Sequence, residues 1–190
     1  MSATRTTPRL PGDLFIWYII LLEGATFSVL FVVFAFMRLQ NLELFNASQR
    51  HLDVSFGAVN TALLLTASWC VARAVHAVRA GQRGGGLLWL AAGIAGGLGF
   101  VALKLTEYAD KAAQGIVLST NLFFDFYFLL TGFHLLHVLA GLFALSLSGV
   151  GLMRQPRDAL NAHTLETFAS FWHLVDLLWL ILFPLVYVLR

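Results

Sequence analysis

Charged residues are scarce in this 190-residue chain. Asp, Glu, Lys and Arg together make up 12%, against 59% hydrophobic residues and a mean hydropathy of +0.80. A soluble domain carries about twice that share of charge, so an ordinary globular protein is excluded. Cysteine is nearly absent: Cys70 stands alone. That excludes an internal disulfide and any cysteine-ligated zinc or iron–sulfur site, and Cys70 reads as a small packing residue. Missing too are CxxCH, a Rossmann glycine pattern and a His-rich copper pattern. No internal or inverted repeat is visible, which argues against a secondary transporter. Outside the apolar runs there is no basic face or aromatic-basic module, so the net charge of +2 does not indicate nucleic acid.

What is present is long apolar sequence. A span needs about 20 residues, and five segments qualify, at 14–37, 55–79, 87–108, 122–150 and 167–189. The expected fold class is all-α: an integral membrane bundle of five transmembrane helices, forming a single domain over residues 1–190. The first segment is too long for a secretory signal and no A-x-A-like cleavage site follows, so it is expected to stay in the mature protein. Pro11-Gly12-Asp13 reads as a turn and N-cap ahead of it, and residues 38–53 as an ordinary loop. With five spans, Arg5, Arg9, Arg73, Arg79, Arg83, Arg154 and Arg157 share one side. Arg38, Arg50, Lys104, Lys111 and Arg190 share the other. The excess on the first side predicts a cytoplasmic N-terminus and a periplasmic C-terminus.

Glycines mark close helix approach. Gly93 and Gly97 form a G-x-x-x-G pair, with Gly96 and Gly99 beside them, and intramolecular packing is the expected use. Gly84–Gly86 reads as a flexible turn, and Pro156 as a break before the fifth segment.

The costly residues are the ionisable ones inside these runs. TGFHLLHVLAG at 131–141 and FWHLVDLLW at 171–179 carry His134, His137, His173 and Asp176, and the first segment carries Glu23. A central carboxylate costs roughly 2.5–3.5 kcal/mol on insertion scales, so such groups pair, line a pathway or face a partner. At about 1.5 Å per residue, Glu23, His134 and His173 fall in the middle half of the membrane. Glu23 is therefore expected to pair with a histidine of the fourth or fifth segment, His134 or His173 first. At 100° per residue, Tyr127, His134, His137 and Gly141 share one stripe, and Glu166, His173, Asp176 and Leu180 another. Lys104, Glu107 and Tyr108 stand at i, i+3, i+4 near the outer interface, where Lys104 can pair with Glu107 or snorkel outward. Taken singly, each histidine reads as a packing residue, and Trp17, Trp69, Trp89 and Trp172 as core or interface anchors. Two histidines on facing helices can ligate a haem axially, and His134 with His173 is the pair at similar depth. No catalytic residue and no metal set is expected in this chain.

At this point the residues resemble a known family. TGFHLLHVLAG at 131–141, followed by Glu166 and WHLVDLLW at 172–179, resembles subunit III of the haem–copper terminal oxidases. Glu107-Tyr108 and Glu23 also fall where that family has them. The chain has room only for the last five of the family's usual seven helices. It therefore looks like the short branch found with quinol oxidases and bacterial nitric oxide reductases. NLELFNAS at 41–48 and LSTNLFF at 118–124 look most like the NorE-type accessory proteins of nitric oxide reduction.

The resemblance implies a subunit with no haem or copper of its own, with bound phospholipid as the one candidate ligand. Its expected partners are the haem–copper catalytic subunit I, associated subunits and membrane lipids, with no nucleic acid. Its expected role is to stabilise subunit I and support proton uptake, in a bacterial inner membrane. The family's lipid cleft uses the two N-terminal helices absent here, which puts lipid holding in question. A haem b membrane anchor using His134 and His173, and a proton-coupled transporter using Glu23, are the alternative readings.

Overall fold

The computed structural model describes residues 12–156 and 162–189. Arg5, Arg9, Pro11, Arg157 and Arg190 lie outside them. The element order is α1 (Leu14–Gln40), α2 (Leu42–Gln49), α3 (Val54–Arg79), α4 (Arg83–Ala113), α5 (Leu122–Arg154) and α6 (His163–Phe183). A π-helical turn, Pro184–Val188, continues α6. Among the described residues the fold is all helical, and five helices are long and apolar enough to cross a membrane. All five segments expected from the sequence are present, with longer ends.

Two local expectations are corrected. The stretch 38–53 is not a plain loop: α2 occupies its middle, because burying Phe45 against Phe34 and Phe123 draws the segment back onto the bundle. Gly84–Gly86 is not a free turn either, since α4 begins at Arg83 and these glycines form its first turn. A Cβ on Gly86 would lie 2.5 Å from the Val78 side chain, so glycine there lets the start of α4 lie close against α3. Asp13 occupies the N-cap of α1, although its side chain makes no capping bond. Asp53 caps α3 in full, accepting from the backbone N–H of Ser55 and Phe56 at 2.8 and 3.2 Å. Asn121 caps α5 by accepting from Phe124 N–H at 3.1 Å.

Small residues set the packing. The α3–α4 hairpin is the closest pair, with Gly93 against Val71 and Gly96 against Ala67. Gly97, one turn further along α4, leaves room for Trp172, as does Gly141 of α5. The G-x-x-x-G pair is thus divided between two intramolecular contacts, as small-residue packing in a membrane allows. Trp172 and Trp179 are both fully buried in this core. By contrast α1 is peripheral, touching α6 near its start and α5 midway.

The π turn has a local cause. Pro184 has no N–H to give the i−4 carbonyl, so the regular ladder fails there. Leu189 N–H reaches back to the Pro184 carbonyl at 2.9 Å instead. Gln49 of α2 donates to the Val186 carbonyl at 2.7 Å and ties the turn to the bundle. The result places Tyr187 inside.

Candidate functional site

The densest polar group lies where α4, α5 and the π turn converge, at the end of the bundle that carries α2. Lys104 has 0% exposure there. Its ammonium donates to Glu107 Oε2 at 3.0 Å, Tyr127 Oη at 3.2 Å and Tyr187 Oη at 2.6 Å, which uses all three N–H groups. Tyr187 in turn donates to the Glu107 carboxylate, 2.8 Å from Oε1. The rings of Tyr127 and Tyr187 stand 4.7 and 5.3 Å from Lys104 Nζ, and Trp179 5.5 Å, close enough for cation–π attraction. Lys104 therefore pairs with Glu107 and does not snorkel outward. Tyr108, expected beside them, instead hydrogen-bonds Thr131 at 2.7 Å while presenting its ring to Lys104.

Midway along the bundle, Glu23 of α1 meets a histidine of α5, and it is His137 rather than His134 or His173: His137 Nε2 lies 3.1 Å from Glu23 Oε2. The two α5 histidines are three residues apart, so their side chains point about 60° from each other. That angle separates them. His137 turns toward α1, stacking edge-on with Phe27, while His134 turns into the core between Phe100 and Trp179. His134 has 0% exposure and no hydrogen-bond partner at either nitrogen. His137 Nδ1 lies 2.8 Å from the Phe133 carbonyl and must donate to it.

Replacing Glu23 with Leu is expected to strand His137 and lower bundle stability by about 1–3 kcal/mol. Glu23→Gln, which keeps a hydrogen bond, should cost less. Unfolding of both variants by SDS in mixed micelles checks this; equal stability of Glu23→Leu and the parent would refute the pairing's energetic role.

The α3–α6 seam carries the remaining stripe as expected for Glu166, His173 and Asp176. Arg79 pairs with Glu166 at 2.6 Å near one end. At mid-span His173 Nδ1 is 2.8 Å from Ser68 Oγ and 3.5 Å from Asp176 Oδ2. Serine and carboxylate share one ring nitrogen, so this is no nucleophile relay, in which base and orienter use opposite nitrogens. His173 opens outward beside Ser68 while His134 is enclosed by rings, so the two are not presented to a common slot. Among the described residues no three His, Cys, Asp or Glu side chains converge as a metal set.

Sequence reasoning did not find Tyr127 and Tyr187 as partners of Lys104, nor Ser68 and Arg79 as partners of α6. The usable signal was the buried-cation rule: a lysine two turns inside an apolar helix needs several acceptors. Counting only i+3 and i+4 neighbours overlooks those supplied by other helices.

Comparisons with known proteins identify relatives of the chain. The family described as "Cytochrome c oxidase subunit III" matches residues 52–190. Quinol oxidase subunit 3 of Bacillus subtilis (strain 168) is 29% identical over 181 residues, covering 91% of this chain and 84% of the relative. Quinol oxidase subunit 3 of Bacillus spizizenii is 30% identical over 176 residues, again covering 91% and 84%. Cytochrome c oxidase subunit 3 of Synechocystis sp. is 35% identical over 140 residues, covering 73% of this chain and 58% of the relative. What these relatives have in common is the subunit, not the electron donor. The chain belongs to the cytochrome c oxidase subunit III family, as a multi-pass membrane protein.

Proposed function

We propose that this chain is a non-catalytic subunit of a respiratory haem–copper complex, docked on the catalytic subunit I in a bacterial inner membrane with its N-terminus in the cytoplasm. The observation that carries the reading is how its polar groups are spent. Lys104 with Glu107, Glu23 with His137 and Arg79 with Glu166 are paired within the chain. Groups used this way rigidify a helical bundle rather than ligate a redox centre. Stabilising subunit I, with support of its proton uptake, is the role that suits such a bundle, and a phospholipid is the one ligand it is proposed to hold.

The partner is proposed to reduce oxygen or nitric oxide. For nitric oxide, the supporting observation is that 41–48 and 118–124 meet in the fold. Asn121 donates to Ser48 Oγ at 3.0 Å, and the rings of Phe45 and Phe123 stand 5.5 Å apart. The two segments therefore act as one feature at the α2 end.

Affinity purification of the chain from its native membranes in mild detergent tests the proposal. Recovery of a haem–copper catalytic subunit, with the haem spectrum following that subunit, is the expected result. A haem spectrum that stays with the chain after the other subunits are stripped away would favour the haem-anchor reading instead.

A further inference from the structure

The outward faces of the bundle differ in what they show the membrane. On α1 the exposed side chains are apolar save Tyr18 and Gln40 toward its ends and two mid-span hydroxyls that are already used, Thr26 on the Leu22 carbonyl and Ser28 on the Gly24 carbonyl. The groove between α4 and α5, about 380 Å³, is lined by aliphatic side chains and Ser146, whose hydroxyl is bonded to the Leu142 carbonyl. Acyl chains suit both surfaces.

The α3–α6 seam is different. His173 stands midway along α6 with its side chain 43% exposed. Its Nδ1 faces Ser68 and Asp176, and among the described residues no bond reaches Nε2. Asp176 behind it is buried, with no hydrogen bond at either carboxylate oxygen. The dyad thus presents one unfilled imidazole nitrogen at the depth where lipid offers only hydrocarbon. Headgroups lie about 15 Å away, at the edge of a core about 30 Å thick, so a lipid cannot supply the missing bond. A protein helix can. Ser68 and Ser170 beside His173 are small, which permits close helix approach.

We infer that the α3–α6 seam is the face that docks on the catalytic subunit, and that His173 Nε2 receives a carboxyl, hydroxyl or amide side chain at mid-depth on one of that subunit's membrane helices. The inference rests on the reading above that such a subunit is the partner, and it names the face and the recognising atom.

The test is photo-crosslinking in native membranes, with benzoylphenylalanine placed singly at five outward positions. Leu65 and Leu177 flank His173, whereas Val32, Leu98 and Phe143 lie on α1, α4 and α5. Adducts to the catalytic subunit from Leu65 and Leu177, and not from the other three, are expected. His173→Leu should lower the fraction of catalytic subunit co-purifying with the chain by about threefold to tenfold, the loss expected of one interhelical hydrogen bond. His173→Gln, which keeps a polar tip, should recover part of it. Adducts only from Val32, Leu98 or Phe143 overturn the inference and leave the partner reading intact. Adducts from Leu65 and Leu177 to a second copy of this chain, or to lipid alone, overturn it as well. If no position crosslinks and the catalytic subunit does not co-purify, the partner reading itself falls.

Discussion

Glu107→Leu is expected to be among the most destabilising single substitutions in this chain, at about 3–5 kcal/mol, the cost of breaking a buried ion pair by removing one partner. Lys104 is enclosed on every side, and Glu107 is the only anion among its hydrogen-bond partners. Two tyrosine hydroxyls and the nearby rings remain after the substitution, but they are dipoles and quadrupoles and cannot neutralise a full charge. The double variant Lys104→Met, Glu107→Leu removes both charges and fills similar volume. It should recover most of the loss, since buried pairs exchanged together for apolar residues are often neutral. Tyr187→Phe takes away one acceptor from Lys104 and one donor to Glu107, and should cost about 1–3 kcal/mol. Titration of unfolding with SDS in mixed micelles, run as a double-mutant cycle, reads the coupling directly. Additive single effects with no recovery in the double variant would show that the two charges are not held as a pair.

The contrast between what the sequence made legible and what it did not follows from the range of each interaction. The five spans could be read because each requires only a local count of apolar residues. The α3–α6 stripe could be read because Glu166, His173 and Asp176 share one helix and one period. Glu23's need for a histidine could also be read, from cost and depth. Its choice of His137 could not, because the two α5 histidines differ only by a rotation that the crossing of α1 decides. Tyr187 was hidden for a similar reason: its inward position depends on the π turn that Pro184 forces and Gln49 fastens. The short α2 was missed because its eight residues are held by Phe45 packing onto distant rings rather than by a helical pattern of their own.

Deleting the chain is expected to have the second large effect, on its partner. A subunit present at about 100 times its dissociation constant adds about 2.7 kcal/mol to the stability of whatever it binds. Its removal should shorten the working lifetime of the catalytic subunit and lower its yield, while the haem that does assemble remains in place. The division of labour explains this pattern. The bundle supplies packing surface and an outward polar contact at His173, and its other ion pairs are internal.

The central claim, that this chain supports a haem–copper enzyme without carrying its chemistry, is tested most directly in membranes with and without the chain. Haem per catalytic subunit is measured there alongside the time course of oxygen and nitric oxide consumption. The account predicts unchanged haem per catalytic subunit, with activity toward one of the two gases that starts lower or decays faster without the chain. Complete loss of haem, or identical activity, lifetime and yield toward both gases, would contradict it.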